Sequence, residues 1–237
     1  MEKLKFVLKY LGYFAIMFIL AGAGINGAIF PFAVGMFLSL VWCGEKSYIL
    51  APLYILATLA HGFSIPNLIS SVTTALFILL ITGIHYKIKR PVKLSLYLVY
   101  ALISQVGFVF SEVYFNNAIV TTFISVVASL LFMQCCNQIF SAILIRGFAY
   151  KLSSLEIISA CVLLGAISCG LTAYNFWGFE LIKLFAVFMV LFSAYTFNVS
   201  STLVVGITIG LGSLLYANNP EFLAPFSLFA LTAVAFK

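Results

Sequence analysis

This sequence contains very little charge and no aspartate at all. Only 8% of its 237 residues are charged, whereas soluble domains contain about 25%. A soluble fold of this length could not cover its surface with so few charges. The absence of aspartate argues against a carboxylate cluster for Mg²⁺ or Mn²⁺. It also removes a common proton-relay residue of membrane pumps.

Motifs that signal catalysis or metal binding are missing as well. The chain has no HExxH, no GxSxG and no CxxC spacing. We therefore predict no catalytic residue, no metal and no cofactor, and an intramembrane enzyme is the least favoured function. Apolar context favours buried small hydrophobes over disulfides or metal ligands for all five cysteines: Cys43, Cys135, Cys136, Cys161 and Cys169.

Long apolar runs are what the chain does contain. It is 64% hydrophobic with a mean hydropathy of +1.20, so lipid is the expected solvent. Backbone groups in lipid must be satisfied internally, and each run therefore predicts a helix. The expected fold is all-α, a polytopic membrane bundle forming a single transmembrane domain over 1–237. The first run, 6–24, is longer than a signal-peptide core, which argues against cleavage.

Ten membrane-spanning helices are predicted from these runs. They cover 6–24, 28–43, 48–61, 66–84, 94–111, 118–145, 155–174, 180–197, 199–216 and 220–236. The second and third are short for a hydrocarbon core of about 30 Å. They either thin the bilayer or form a re-entrant hairpin, which would leave eight true spans. Ser153 or Ser154 is expected to cap the seventh helix, with Glu156 in its first turn.

The positions of the basic residues orient the chain. With the N-terminus in the cytoplasm, only Lys183 among twelve Lys and Arg residues lies outside. The cytoplasmic set is Lys3, Lys5, Lys9, Lys46, Lys87, Lys89, Arg90, Lys93, Arg146, Lys151 and Lys237. Positive charges resist translocation, so a multi-pass cell-membrane protein with both termini cytoplasmic is predicted. The net charge of +6 is explained this way, and no nucleic-acid partner is expected.

Neutral polar residues within the spans leave two interpretations open. Gln134, Asn137, Gln138 and Ser141 share one face of the sixth span, and Gln105 lies in the middle of the fifth. Interhelical hydrogen bonding is the simpler interpretation. The alternative is a polar substrate pocket.

Small residues and one basic loop indicate contacts rather than chemistry. Gly206 and Gly210 form a GxxxG pair, and Gly165 and Cys169 are spaced alike. Such pairs let helices pack closely, within the chain or by self-association. The basic loop, containing Lys87, Lys89, Arg90 and Lys93, is either a retained inner loop or a contact for anionic lipid headgroups.

Several stretches resemble the membrane region of the stage II sporulation protein E family. They are Ile29–Phe37, Leu50–Tyr54, Leu152–Ile158 with a span ending near Gly170, Leu184–Tyr195, Val205–Leu211 and Ala224–Leu231. The resemblance implies a spore-forming, Gram-positive bacterium. It also implies about ten helices that anchor and regulate a cytosolic PP2C-like serine phosphatase and support its assembly at a division septum.

That phosphatase domain, with its metal-binding aspartates, is absent here, so no catalytic residue is carried over. The chain is expected to be either a fragment, with a cytosolic domain following Lys237, or a stand-alone relative. The first functional hypothesis is therefore a non-enzymatic module that anchors, regulates or oligomerises a cytosolic phosphatase domain, with division or sporulation proteins as partners. The alternative is a small-molecule transporter or its membrane-embedded substrate-binding component.

Overall fold

The structure is a computed structural model that describes residues 2–24, 31–88, 93–147, 152–176, 178–196, 198–217 and 223–235. It is 88% helical, which confirms the predicted all-α class. The described helices are α1 (Glu2–Ala21), α2 (Phe32–Trp42), α3 (Ser47–His61), α4 (Ile65–Ile88), α5 (Leu94–Ser104), α6 (Val106–Asn116), α7 (Ile119–Ser141), α8 (Ser154–Thr172), α9 (Leu181–Thr196), α10 (Val199–Ala217) and α11 (Leu223–Ala235). A π-helical turn, Ala142–Arg146, extends α7, and a small hairpin, β1 (Asn175–Phe176) with β2 (Phe179–Glu180), precedes α9.

Six described segments are long and apolar enough to cross a membrane. They are Leu4–Ala21, Ile65–Ile88, Leu94–Asn116, Ile119–Leu144, Ser154–Thr172 and Val199–Ala217. The remaining four apolar helices, α2, α3, α9 and α11, are shorter. Each of the ten predicted spans therefore overlaps an apolar helix, and six have the length that a span requires. The predicted fifth span runs on to Asn116 and is interrupted at Gln105.

The second and third helices form a short hairpin against α1. At 1.5 Å per residue, the 11 residues of α2 extend only about 16 Å. The turn after α2 ends beside the first half of α1, where the hydroxyls of Tyr10 and Tyr13 donate to the Glu45 carboxylate at 3.2 and 3.3 Å. Lys9 forms an ion pair with the same carboxylate. The hairpin thus turns back at the level of Lys9–Tyr13.

The helix directions gather the described basic side chains at one end of the bundle. Lys9 pairs with Glu45, the Ser47 and Thr82 hydroxyls lie 3.0 Å apart, and Arg146 pairs with Glu156. We call this the basic end; it holds Lys5, Lys9, Lys46, Lys87, Lys93 and Arg146. Lys183 lies at the opposite end, paired with Glu180. The Lys3 side chain and residues Lys89, Arg90, Lys151 and Lys237 lie outside the part of the chain that is described.

The predicted small-residue positions lie at crossings within the chain. A Cβ on Gly206 would stand 2.5 Å from the Ala230 Cβ of α11. A Cβ on Gly210 would stand 3.1 Å from the Leu223 Cα, and one on Gly165 would stand 3.6 Å from a Thr208 methyl of α10. The Cys169 thiol donates to the Gly24 carbonyl at 3.5 Å. The three glycines let α8, α10 and α11 pack closely, and Cys169 joins α8 to the segment that follows α1. Self-association stays a prediction.

The start of α8 has the expected cap. The Ser153 side chain accepts from the Glu156 backbone N–H at 3.4 Å, and the Glu156 carboxylate accepts from the Ser153 N–H at 2.7 Å. Arg146 Nη1 donates to the same carboxylate at 2.7 Å. This reciprocal capping box selects Ser153 over Ser154 as the N-cap and ties the end of α7 to the start of α8.

Candidate functional site

A cavity of about 290 Å³ with many polar side chains in its lining lies among α2, α3, α4, α5–α6 and α7, at the end of α1. Eleven polar side chains line it: Thr58, His61, Asn67, Ser70, Ser71, Thr74, Gln105, Glu112, Thr121, Thr122 and Ser125. It lies toward the end opposite the basic end, which we call the cavity end. Exposed His61 and Asn67 form part of its rim, while Thr74 and Gln105 lie deep, at 1% and 2% exposure.

Packing between α3 and α4 forms one wall. The two helices run antiparallel, because the Ser47–Thr82 contact joins them at the basic end. At the cavity end, the Asn67 side-chain amide donates to the Gly62 carbonyl at 2.9 Å. Ser71 and Thr74 are three residues apart on α4, so both face inward.

A break between α5 and α6 places a glutamine at the floor of the cavity. Gln105 is the one non-helical residue between the two helices. Its side-chain carbonyl accepts from the Ser129 hydroxyl of α7 at 2.7 Å. The Thr74 hydroxyl donates to the Ser104 carbonyl at 3.0 Å. Side chains of α4 and α7 thus compensate for the interruption, as broken membrane helices require.

Most lining hydroxyls donate their proton to the backbone. Thr58 donates to the Ile55 carbonyl at 2.9 Å, Ser71 to Leu68 at 3.2 Å, and Thr121 to Ala118 at 3.2 Å. A hydroxyl has a single proton and two lone pairs. These side chains therefore have only acceptor capacity left for whatever occupies the cavity.

Ser125 differs from the other buried serines and threonines of the lining. The residue is only 4% exposed, and its hydroxyl makes no hydrogen bond among the described residues. Because Ser125 lines the cavity, a water or a solute there is the available partner.

Tyr174 holds one side of the rim in place. Its hydroxyl donates to the Phe18 carbonyl at 3.2 Å and lies 3.2 Å from His61 Nδ1. Burial raises the pKa of Tyr174 to about 12, so the phenol stays neutral. With its proton on Phe18, the phenol oxygen accepts from His61 Nδ1–H, and this fixes the imidazole ring at the cavity mouth.

The predicted polar face of the sixth span lies away from this cavity. The Asn137 side chain accepts from the Cys43 thiol at 3.4 Å, and Gln138 accepts from Ser159 of α8 at 2.8 Å. Ser141 donates to the Gln138 backbone carbonyl at 3.0 Å, and Gln134 is half-buried. None of the four is among the residues that line the cavity. The structure thus joins Asn137 and Gln138 to neighbouring helices by hydrogen bonds.

Sequence reasoning found Gln105 but not the hydroxyl residues around it. Two signals were present. The run from Ser70 to Thr74 contains four hydroxyl residues in five positions, and Thr121, Thr122 and Ser125 are spaced for one face of a helix. In the basic loop, Lys87 and Lys93 are exposed, and Lys89 and Arg90 lie outside the described residues.

Comparison with known proteins adds no relative. No protein-family model, curated protein or solved structure matches this chain. The resemblance to the stage II sporulation protein E family therefore stays a prediction from sequence. Function has to be argued from the cavity itself.

Proposed function

We propose that this chain is an integral membrane protein that binds a small polar solute, as a transporter or as its membrane-embedded substrate-binding component. The supporting observation is the convergence of eleven polar side chains on one cavity in a chain with 8% charged residues. Polar groups in an apolar bundle are costly unless they are satisfied. Most of these groups are satisfied by bonds within the chain, and their concentration around open space, where they keep acceptor capacity, favours an occupant.

The size and position of the cavity support the same function. Its volume of about 290 Å³ is close to the lower end of small-molecule sites, about 300 Å³. Exposed rim residues give a solute a route in from the cavity end. The α5–α6 segment is distorted at one residue, Gln105, at the floor, which is a milder form of the discontinuous helices that form binding sites in many transporters.

The membrane orientation is part of the proposal. Ten apolar segments cross or enter the bilayer, with α2 and α3 as a hairpin entering from the cavity end and turning back near Lys9–Tyr13. Positive charges resist translocation, so the basic end is cytoplasmic, as are both termini. The cavity then faces outward. A solute would therefore be collected from outside the cell membrane.

The test of binding is a solute screen on the full chain in detergent, read out by thermal unfolding. Neutral polar, cationic and anionic solutes are compared at equal ionic strength, and at least one should raise the unfolding temperature in a saturable way. The variant Ser71→Leu places a larger apolar side chain in the cavity and should abolish that shift. Ser193→Ala, at a buried serine of α9 away from the cavity, should retain it. A screen without any saturable shift, or a shift unaffected by Ser71→Leu, contradicts the proposal.

Orientation has a separate test in intact cells. A background without native cysteines receives a single cysteine at Lys183 or at Lys87. A membrane-impermeant maleimide should label Lys183→Cys in intact cells and Lys87→Cys only after lysis. The reverse pattern would overturn the orientation and leave solute binding untouched.

The role implied by the sequence resemblance, anchoring and regulating a cytosolic phosphatase domain, is a second proposal. One observation favours it: the resembling stretches Val205–Leu211 and Ala224–Leu231 coincide with the close α10–α11 crossing, a rigid element suited to anchoring. Isolation of the chain from native membranes should then recover a serine phosphatase activity. Isolation of the intact chain without any serine phosphatase activity would contradict the anchoring role.

A further inference from the structure

We infer that the solute carries a protonated amine on a short organic body; this inference rests on the proposed binding function. Three features of the cavity favour such a ligand: the acceptor capacity of the lining hydroxyls, one carboxylate and an apolar wall.

The first step is hydrogen-bond capacity. Thr58, Ser71 and Thr121 donate to backbone carbonyls and present lone pairs to the cavity. An alkylammonium group has three donors and no acceptor. A cavity rich in acceptors therefore matches an ammonium group better than a carboxylate or a phosphate, which have only acceptors.

The second step is charge. Among the described lining residues, Glu112 is the only Asp, Glu, Lys or Arg. One of its carboxylate oxygens accepts from the Asn116 amide at 2.8 Å, and the second oxygen has no hydrogen-bond partner among the described residues that would compete with a ligand. At pH 8, above the ordinary histidine pKa of about 6.5, His61 contributes no charge. A solute in this cavity thus meets one uncompensated negative charge.

Helix ends do not reverse this sign. Three helices begin at the cavity, and a residue from the first turn of each lines it: Ala33 of α2, Asn67 of α4 and Thr121 of α7. Three other helices end there. Ala21, the last residue of α1, His61, the last residue of α3, and Glu112, near the end of α6, line the cavity. Each helix end carries about half a unit of charge, positive at the start and negative at the end. The six contributions offset one another, and the full charge of Glu112 decides the sign.

The third step is the body of the ligand. Val34, Pro31 and Phe108 contribute an apolar wall to the cavity, which a bare metal ion would not use. Ser125 lines the cavity and makes no side-chain hydrogen bond among the described residues, so its hydroxyl can accept from an ammonium or bond a hydroxyl on the ligand. A small amino alcohol can donate hydrogen bonds to the acceptors of the cavity and place its carbon chain against the apolar wall.

The experiment uses matched two-carbon probes on the full chain in detergent at pH 8. Ethanolamine, ethylene glycol and glycolate are titrated at equal ionic strength, with NaCl and KCl as inorganic-cation arms. Ethanolamine should raise the unfolding temperature saturably, and the other four should not. Glu112→Gln and Ser125→Ala should each weaken its apparent affinity by about tenfold or more. Glu180→Gln and Ser193→Ala, which alter a carboxylate and a serine outside the cavity, should leave that affinity within about twofold of the parent chain.

The outcomes separate this inference from the binding function beneath it. If ethylene glycol or glycolate stabilised the chain saturably, ethanolamine did not, and Ser71→Leu abolished the effect, solute binding would stand and the inference of a protonated amine would be overturned. Stabilisation by Na⁺ or K⁺ equal to that by ethanolamine would overturn the organic body. An ethanolamine shift that Glu112→Gln leaves unchanged would overturn the role of the carboxylate. If no solute binds in the wider screen either, both proposals fail together.

Discussion

The first seven helices and the last four differ in the side chains that lie between them. In α1–α7, hydroxyl and amide side chains such as Thr74 and Gln105 converge on open space. Glycines bring backbones together in both parts: a Cβ on Gly35 of α2 would stand 2.8 Å from the Ser129 carbonyl of α7, and a Cβ on Gly212 of α10 would overlap the Gly165 carbonyl of α8. Backbones in such close approach leave no room for a solute between them. The first seven helices, here called the polar half, combine such crossings with the cavity, and the last four are called the glycine half.

The largest expected effect is the destabilisation of the glycine half. Gly212→Ala puts a methyl group against the Gly165 carbonyl and 2.9 Å from the Ser168 Cβ. Neither backbone can yield cheaply, so we expect a loss of about 3 kcal/mol or more in the free energy of unfolding. SDS titration in mixed micelles measures it. Gly83→Ala is the control, since its Cβ meets nothing within 4 Å and should gain up to about 1 kcal/mol. If Gly212→Ala and Gly83→Ala changed the free energy of unfolding equally, the close approach of backbones would not be what stabilises the glycine half.

The next effect concerns the hairpin of the polar half. Glu45 is about 10% exposed at its side chain and accepts from Tyr10 and Tyr13 besides pairing with Lys9. Hydrogen bonds to a charged group contribute about 1.5–3 kcal/mol, so Glu45→Gln should cost roughly that much. The matched change Glu180→Gln weakens the partly exposed pair with Lys183 and should cost less than about 1 kcal/mol. Unfolding titrations that rank these two variants the other way would refute the anchoring role of Glu45.

Sequence patterns predicted the helices better than the cavity, for a physical reason. An apolar run between breakers specifies a helix locally, and the Ser153–Glu156 spacing specifies a cap within one turn. The cavity instead combines Thr58, Thr74 and Ser125 from three helices, and only tertiary packing brings them together. Periodicity within one helix pointed to Asn137 and Gln138, whose partners on α2–α3 and α8 could not be read from that helix alone.

A smaller effect compares one threonine in each half. Thr74 donates to the Ser104 carbonyl across the α5–α6 break, whereas Thr208 donates to the Val204 carbonyl of its own helix and is accessible. Thr74→Val keeps the shape and removes a buried interhelical bond, so a loss of about 1 kcal/mol is expected. Thr208→Val should be near neutral. The same unfolding titration checks both, and a neutral Thr74→Val would show that the break needs no side-chain compensation.

The smallest effect lies at the junction of the two halves. Ser153 caps α8 while Arg146, at the end of the π-helical turn, pairs with Glu156. Ser153→Ala removes the acceptor for the Glu156 N–H, and because that bond is long, at 3.4 Å, we expect a loss of about 0.5–1 kcal/mol. Ser154→Ala is the matched control, at an exposed neighbour that does not form the cap, and it should be neutral. If instead Ser154→Ala carried the cost, the start of α8 would lie one residue later, and the coupling of its cap to α7 would need another explanation.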